Sequence, residues 1–350
     1  MKFVKNWGRL GMTFNIKQVQ LRDLLLEPTR NGLTKPKAIR GRGVPMIAMG
    51  EIFANNRIFS FPMERVPVTD KELSSSSIYE GELLFARQSL VLEGAGKCCI
   101  VKEVNEPTVF ESHLIRVRLD NSKALPDYIY YYFNSYQGKE NIKTIVEQVA
   151  AAGIRGSDLV NLYIPIPPIT VQQQILQVLM NIDDKIAINT TINENLELQA
   201  QAIFKSWFVD FEPFGGVMPE DWKIKKVKDI PLLVTDYVAN GSFASLKANV
   251  SLYQEKNYAY FIRNTDLKSG TFNVYVDEHS YKFLSKSVLY GGEIIISNVG
   301  DVGSVFLCPK LNLPMTLGNN IIMLRPENEI YQYFLYIWFK WMQGQAYIQS

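Results

Sequence analysis

The sequence predicts an α+β protein in which two similar domains are separated by one long helix of the coiled-coil type. Three observations predict this architecture: an internal repeat, short β-rich runs followed by an aromatic helical segment in each repeat, and a helical segment between the repeats. The chain has 350 residues, 47% hydrophobic and 21% charged, which is enough for two packed cores. We place the first domain at residues 1–160, the spacer helix at 161–214 and the second domain at 215–350.

The internal repeat consists of six ordered matches between the two halves of the chain, at an offset of 205 to 215 residues. Such nearly constant spacing indicates two copies of one domain. The matched segments are Leu21–Leu24 with Val227–Ile230, Val44–Ile52 with Ala259–Leu267, Ile78–Ala86 with Leu289–Ser297, His113–Arg118 with Asn320–Arg325, Tyr128–Phe133 with Tyr333–Trp338, and Gln137–Gly138 with Gln343–Gly344.

Each copy contains short β-rich runs bounded by Gly, Pro, Asn and Asp, which predict strands. An aromatic segment with helical spacing follows them, at Asp127–Gln148 in the first copy and Ile330–Ile348 in the second. Its Tyr and Phe residues are typical of a helix core. The predicted strands are Leu83–Ala86, Cys99–Lys102 and Leu114–Val117, then Ile294–Ser297, Val305–Cys308 and Ile321–Leu324.

The spacer begins after Pro165, Pro167 and Pro168 and has neither proline nor glycine from residue 171 to 211. This predicts one helix of ~60 Å at 1.5 Å per residue. Apolar residues at heptad spacing form a narrow seam with a polar layer at two asparagines, so a second helix should pack against it. The alternative is an amphipathic helix that packs only against its own domain. The seam residues are Ile175, Leu179, Ile182, Ile186, Asn189, Asn193, Leu196, Ala200, Ile203 and Trp207.

Positive charge is concentrated in the first copy. Residues 1–160 hold 22 Lys and Arg against 17 Asp and Glu, residues 161–212 hold 2 against 6, and residues 213–350 hold 13 against 12. The segment Thr29–Gly43 has five cations and no acid, and its glycines and proline disfavour a regular helix. We therefore expect a loop whose cations meet phosphate oxygens, or a solvated charged loop. The cations are Arg30, Lys35, Lys37, Arg40 and Arg42.

Composition also excludes several classes of protein. No apolar run approaches the ~18 residues that a membrane span requires, and no signal peptide is apparent. Two adjacent cysteines and one distant one form neither a disulfide framework nor a metal knuckle, which favours the cytoplasm. Two histidines leave little material for metal or triad chemistry. We expect no catalytic residue, no metal site and no cofactor.

The spacer carries a family resemblance. The segment Ile164–Phe214 combines a double-proline entry, a glutamine-rich first turn, the step Ile182–Ile186 (IDDKI) and the ending Lys205–Phe211 (KSWFVDF). It resembles the central spacer of the specificity subunits of type I restriction–modification systems. Val171 departs from the pattern, since the family more often has glutamate there. The flanking copies resemble that family's two target-recognition domains.

The resemblance implies a non-catalytic reader of double-stranded DNA. Each recognition domain would bind one half of a bipartite target, and the spacer would set the gap between the halves. The subunit would dock methyltransferase subunits, which recruit endonuclease and translocase subunits. Relative to the family pattern a second spacer helix is missing after residue 350. We therefore expect a truncated chain that either self-associates through residues 175–207 or exposes an apolar stripe there, which invites aggregation.

The residues expected to read DNA follow the strand Leu83–Ala86 and its counterpart. Arginine pairs well with guanine, and Asn or Gln with adenine. Arg87 and Gln88 are the first candidates, with Asn298 and Val299 at the same place in the second copy. Further candidates for phosphate or base contacts are Arg57, Arg155, Arg263, Asn264 and Lys268.

Two other functions are weighed against this one. A methyltransferase with its own specificity domain needs a catalytic loop of Asn or Asp, two prolines and an aromatic residue, whereas isoleucines flank Pro167–Pro168. The segment Gly94–Lys97 lacks the earlier glycine and the following Ser or Thr of a phosphate-binding loop. A truncated scaffold that dimerises without reading DNA is the third hypothesis.

Overall fold

The computed structural model describes residues 16–148 and 152–349. Residues 1–15 and 149–151 of the expected first domain, and Ser350 of the second, lie outside these ranges. The chain divides into two compact units, residues 1–187 and 188–350. Both units contain runs of consecutive strands together with helices, so the predicted α+β class is confirmed.

The first unit is built on a five-stranded sheet with the order β2-β10-β6-β8-β4. A three-stranded sheet, β5-β3-β9, packs beside it, and β1-β13 and β11-β12-β7 form smaller sheets. The strands are β1 (Lys17–Gln20), β2 (Arg30–Asn31), β3 (Val44–Ile47), β4 (Arg57–Ile58), β5 (Arg65–Val66), β6 (Leu83–Ala86), β7 (Gln88–Ser89), β8 (Cys98–Val101), β9 (Val109–Phe110), β10 (Leu114–Val117), β11 (Glu147–Gln148), β12 (Ala152–Gly153) and β13 (Tyr163–Ile166).

Helices cover the first unit's sheet: α1 (Met49–Ala54), α2 (Asp70–Ser76), α3 (Pro126–Asn134), α4 (Tyr136–Lys143) and α5 (Gly156–Leu159). The central strand β6 is buried on both faces. Leu83 and Phe85 pack toward α3, where Phe85 meets Phe133 edge to face with ring centroids 5.0 Å apart. Leu84 and Ala86 belong to a second cluster with Ile52. Two buried faces explain the uninterrupted apolar run of this strand.

The second unit has a four-stranded sheet, β14-β22-β19-β20, and a five-stranded sheet, β15-β17-β16-β21-β18. Its strands are β14 (Leu232–Asp236), β15 (Leu252–Tyr253), β16 (Ala259–Ile262), β17 (Tyr275–Val276), β18 (Val288–Leu289), β19 (Ile294–Ser297), β20 (Val305–Leu307), β21 (Met315–Leu317) and β22 (Ile321–Pro326). The strand β19 again lies between two clusters, with Ile294 and Ile296 on one side and Ile295 on the other.

One helix, α6 (Ile169–Phe208), runs for 40 residues and supplies side chains to both units. The long helix predicted from the missing prolines and glycines is therefore confirmed. It starts at a docked glutamine: Gln172 is fully buried, its amide oxygen accepts from Leu125 N at 2.9 Å, and its amide nitrogen donates to Pro167 O at 2.9 Å. The remaining helices are α7 (Phe243–Asn249), α8 (Asn264–Ser269), α9 (Glu278–Phe283), α10 (Glu329–Lys340) and α11 (Met342–Gln349).

The repeated segments fold alike. Each unit contains a parallel strand pair, formed by β3 with β9 in the first unit and by β16 with β21 in the second. The helix after the first strand of each pair begins in the same way, since the backbone N–H of Ala48 or Arg263 donates to the carboxylate of Glu51 or Asp266. The common topology and capping support the repeat read from the sequence.

The aromatic segment of each unit is two helices instead of one. A helix break at Ser135 separates α3 from α4, and a break at Trp341 separates α10 from α11. Gly138 and Gly344 allow the close turn, because a Cβ atom there would lie 2.0 Å from Tyr132 O or 2.1 Å from Trp338 O. The second helix therefore packs on the end of the first without room for a side chain.

Candidate nucleic-acid interface

The basic loop at residues 29–43 is largely exposed to solvent, and a glycine allows its close approach to a neighbouring strand. Gly43 has φ +97°, and a Cβ atom there would lie 2.2 Å from Val66 O. The Lys35 ammonium donates to Glu72 at 2.7 Å, and the Arg40 guanidinium donates to Glu64 at 2.8 Å. These two cations are neutralised within the unit.

The other three cations of this loop are exposed, and no acidic partner is recorded for them among residues 16–148 and 152–349. They are Arg30, Lys37 and Arg42. Arg30 lies on the edge strand β2, opposite Arg116 of β10. The loop therefore offers three of its five cations to solvent, where phosphate oxygens can approach them.

A second segment with predicted readers, Arg87 and Gln88, begins at the end of β6. The backbone N–H of Arg87 donates to His113 O at 2.8 Å, and Ile154 N donates to Arg87 O at 2.9 Å. Gln88 pairs with Gly153, and a Cβ atom on Gly156 would lie 3.1 Å from Thr29 Oγ1. Backbone pairing thus gathers three segments that are distant in sequence.

We call this the first edge and define it by the predicted readers Arg30, Arg87, Gln88 and Arg155. Arg155 pairs with Glu147 at 2.6 Å, and both side chains are exposed. Gln88 is exposed and Arg87 is half-buried, and neither side chain has a recorded hydrogen bond within the described part of the unit. The first edge therefore combines two cations without a recorded acidic partner, Arg30 and Arg87, with the paired Arg155 and the amide of Gln88.

Arg57 has a different position from the other predicted readers. Its guanidinium donates to Asp183 Oδ2 at 2.5 Å and to the Tyr131 hydroxyl at 2.6 Å, and it lies over the rings of Tyr130 and Tyr131. Burial alone lowers the pKa of Arg57, but Tyr131 and Asp183 outweigh it and raise the pKa. Burial also raises the pKa of Tyr131 to about 12. The Arg57 side chain is thus held by the spacer helix.

The second unit has an equivalent edge with a different chemistry. The N–H of Asn298 donates to Asn320 O at 3.2 Å, which repeats the bond from Arg87 to His113. The strand β14 pairs with β22 as β2 pairs with β10, and Thr235 stands where the first unit has Arg30. The second edge is defined by Thr235, Asn264 and Asn298.

Three further predicted readers of the second unit are partly engaged. Asn264 Nδ2 donates to Ser297 Oγ at 3.1 Å, while its buried Oδ1 has no recorded partner. The Arg263 guanidinium forms a two-point pair with the buried Asp266 at 2.6 and 2.9 Å, and Asp266 raises the pKa of Arg263. Lys268 pairs with Asp301 at 2.5 Å. Amides and a hydroxyl, rather than free cations, dominate the second edge.

The helix α6 shows two kinds of surface. Val171, Leu176 and Phe204 are buried against their units. Much of the predicted seam is open: Ile182 is 52% exposed and Leu196 is 56% exposed. Ile203, Trp207, Asn189 and Asn193 are exposed as well, while Ile175, Leu179 and Ala200 are half-buried.

The structure also bears on chemistry. Within the described residues no group of His, Cys, Asp and Glu could hold a metal ion, and no helix is long and apolar enough to cross a membrane. Burial raises the pKa of Cys99 to about 11 and that of Cys308 further. These thiols are protonated at neutral pH and poorly suited to act as nucleophiles or metal ligands.

Sequence reasoning missed the residues that hold α6 in place. Asp183 and Tyr131 bind Arg57, and Glu197 forms an ion pair with Lys340. In the sequence Asp183 was marked by its place in the IDDKI step. That step indicated the family but did not indicate that Asp183 binds Arg57. No local pattern marked Glu197 or Lys340.

The chain thus combines duplicated α+β units with one long helix, Ile169–Phe208. Residues 15–198 match the family model of the type I restriction modification DNA specificity domain. Because this match covers more than half of the chain, the chain belongs to that family. The resemblance seen in the spacer is confirmed.

Two curated relatives and one solved structure are similar to this chain. The chain is 31% identical over 142 residues to the type I restriction enzyme HindI specificity subunit of Haemophilus influenzae, covering 40% of this chain and 30% of that protein. It is 23% identical over 340 residues to the putative MjaX specificity subunit of Methanocaldococcus jannaschii, covering 91% and 75%. The crystal structure of an S subunit from M. genitalium aligns with TM-score 0.48 and 16% identity, covering 96% and 79%.

The chain spans less than half the length of the first curated relatives it matches, between 30% and 47%. The matches favour a specificity subunit over the methyltransferase and scaffold alternatives.

Proposed function

We propose that this chain is a non-catalytic DNA specificity subunit that reads a two-part target, one half with each unit. The observation that carries the proposal is the repeated strand end, where Arg87 and Asn298 take the same backbone position at an exposed edge. Two equivalent edges in one chain suit two separated groups of base pairs better than one continuous site. The proposed domains are residues 1–160 and 215–350, with the spacer at 161–214.

The first edge is suited to phosphate and guanine. Arg30, Lys37 and Arg42 are exposed cations without a recorded acidic partner, and cations of this kind supply most of the non-specific affinity for DNA. Arg87, at the end of a rigid central strand, has the fork geometry that recognises guanine in the major groove. The remaining predicted reader, Arg155, is exposed enough to exchange Glu147 for a phosphate.

The second edge is suited to base hydrogen bonding. Asn298 is exposed, whereas the acceptor oxygen of Asn264 is buried and would reach a base only after its side chain moves. Side-chain amides form paired hydrogen bonds with adenine. We therefore assign most of the electrostatic binding to the first unit and a larger share of direct base reading to the second.

We assign the catalytic steps, methylation and cleavage of DNA, to other subunits. The family resemblance supports docking of methyltransferase subunits and, through the assembled complex, of the endonuclease and translocase subunit, in the cytoplasm. The exposed seam on α6 supports helix pairing, either with a second copy of this chain or within the complex. Leu196 and Ile203 are more than half exposed, and apolar stripes of this kind usually mark a protein interface.

The test is methylome sequencing of cells that express this chain together with its methyltransferase subunits. The expected result is modified adenines in a motif of two short sequences separated by a constant gap. A variant with Arg30→Gln and Arg87→Gln should alter or lose one half of the motif. Lys143→Gln is the matched control, because Lys143 is an exposed cation that pairs with Glu140 at 2.6 Å and is not a predicted reader. A continuous motif, or no modification, would contradict the proposal.

A further inference from the structure

The first unit is attached to α6 through a carboxylate on the helix. Asp183 Oδ2 accepts a hydrogen bond from the Arg57 guanidinium at 2.5 Å and one from the Tyr131 hydroxyl at 2.6 Å. The guanidinium carbon lies 5.4 Å from the ring centroid of Tyr130 and 5.5 Å from that of Tyr131. We call Asp183, Arg57 and Tyr131 the first anchor.

The second unit uses the same chemistry further along the helix. Glu197 forms an ion pair with the Lys340 ammonium, which lies over the Tyr336 ring at 5.1 Å. The side chains of Lys340 and Glu197 are 26% and 39% exposed, close to the 23% and 34% of Arg57 and Asp183. We call Glu197, Lys340 and Tyr336 the second anchor.

The two anchors correspond within the repeat. Tyr131 and Tyr336 are matched residues, since they occupy the same place in the aligned segments at residues 128–133 and 333–338. The carboxylates are 14 residues apart in the sequence of α6, which is two heptads. The cations are not matched: Arg57 comes from strand β4, whereas Lys340 lies one turn after Tyr336 on α10.

Both units pair a carboxylate of α6 with a cation that lies over a tyrosine ring, although the two cations do not correspond in the repeat. This indicates that each unit needs the arrangement where it contacts α6. Both carboxylates are only partly exposed, and a cation stacked on a ring is restricted in direction. Arg57 also leaves its buried Nε without a recorded acceptor, which has a free-energy cost that the contacts to Asp183 and Tyr131 must offset. A side chain needed only for solubility would not be held in this way.

We propose that Asp183 and Glu197 are positioning residues, each of which fixes the rotation of its recognition unit about α6 and thereby sets the number of base pairs between the two half-sites. This inference rests on the proposed function. Since a turn of duplex holds about 10 base pairs, one added base pair rotates the second half-site by roughly 35°. A unit that is free to rotate about the helix loses the ability to reject such a shift.

The test uses the full chain with its methyltransferase subunits. Duplexes carry both half-sites, as found by methylome sequencing, with gaps of the natural length and of one base pair more or fewer. The variants are Asp183→Ala and Glu197→Ala, and the controls are Asp184→Ala and Glu194→Ala on the same helix. Asp184 and Glu194 are exposed and have no recorded ion pair within the described residues. Binding to each duplex and the methylation rate are measured.

Each anchor variant should reduce the preference for the natural gap by about fivefold to tenfold, while the sequence preference within each half-site stays unchanged. The control variants should retain the full preference. Asp183→Asn keeps one acceptor oxygen but loses the charge, so its preference should fall between those of Asp183→Ala and the unaltered chain.

A folded anchor variant that keeps the full gap preference would overturn the inference. Equal weakening on every gap length would overturn it too, because that result indicates a role in stability alone. If the unaltered chain selects no two-part target, the proposed function itself fails. The two failures are therefore distinguishable.

Discussion

Arg118 lies over the ring of Tyr79, 4.9 Å from guanidinium carbon to ring centroid, and its guanidinium pairs with the buried Glu82. Glu82 also accepts from the backbone N–H of Tyr79 at 2.9 Å. The second unit repeats every part of this arrangement: Arg325 lies 4.6 Å from the Tyr290 centroid and pairs with Glu293, which accepts from Tyr290 N at 2.7 Å. The repeat therefore extends to a buried ion pair.

Removal of this buried carboxylate should destabilise the first unit. Glu82 is 3% exposed, so Glu82→Ala leaves the Arg118 guanidinium without its main partner and should lower the free energy of unfolding by about 3 kcal/mol. The control is Glu140→Ala, which breaks the exposed pair with Lys143 and should cost much less, because solvent screens that pair. Urea denaturation measures both, and equal costs would refute the buried pair as a stabilising element.

A methyl group at the helix break should also destabilise the fold. Gly138→Ala and Gly344→Ala place a Cβ atom about 2 Å from a backbone carbonyl oxygen that cannot move independently, so each should cost roughly 3 kcal/mol or more. Gly50→Ala is the control, because a Cβ atom there meets nothing within 4 Å and alanine favours the helix α1. Thermal unfolding should show a lower Tm for the first two variants only.

The titration of Glu72 tests whether the ion pair between Lys35 of the basic loop and Glu72 forms in solution. The hydrogen bond from Lys35, followed by that from the Thr69 N–H, lowers the pKa of Glu72 to about 2. The pKa in the folded state is below the ordinary value, so this contribution to stability is present above pH ~4.5 and is lost as the pH falls toward 2. Lys35→Gln should raise the pKa of Glu72 in an NMR titration, and Lys37→Gln should leave it unchanged. No change with Lys35→Gln would show that the Lys35 ion pair is absent in solution.

The two edges should differ in how DNA binding depends on salt. Arg30→Gln removes an exposed cation and should weaken binding to all duplexes, with a decrease of about 1 in the slope of log affinity against log salt. Asn298→Ala should cost about 1–3 kcal/mol on the selected duplex and relax the preference at one base pair, with an unchanged slope. Fluorescence anisotropy at several salt concentrations measures both. An Asn298→Ala variant that changes only the salt slope would argue against base reading at the second edge.

The seam of α6 should control self-association. Leu196→Lys with Ile203→Lys places two charges on the apolar stripe and should abolish any dimer, because desolvating these charges in a helix pair is costly. Leu198→Lys is the control, since Leu198 is 63% exposed but lies off the seam. Light scattering gives the mass of each variant. A dimer that survives the double change would place the interface elsewhere.

Local pattern predicted the regular elements well. The strands Leu83–Ala86, Leu114–Val117 and Ile294–Ser297 have the bounds read from the sequence, because apolar runs between turn residues leave few alternatives. The helix breaks at Ser135 and Trp341 were not predicted. Each depends on a glycine packed against a carbonyl of the preceding helix, and this contact exists only after the two helices meet.

The candidate site was less predictable than the fold. Arg30, Arg87 and Arg155 are distant in sequence, and strand pairing and packing bring their segments together. In the sequence Arg57 is a cation like these three, yet in the structure it pairs with Asp183, 126 residues away. A cation's sequence neighbours do not reveal which acid will lie beside it.

The sequence by itself determined the duplication, the α+β elements, the length of the spacer helix and the family, since each is recorded in periodicity and ordered motifs along the chain. Only the tertiary structure decided which cations remain open and which are neutralised, because charge pairing depends on distances between segments that folding brings together. It also showed that Asp183 and Glu197 connect the spacer helix to the two units.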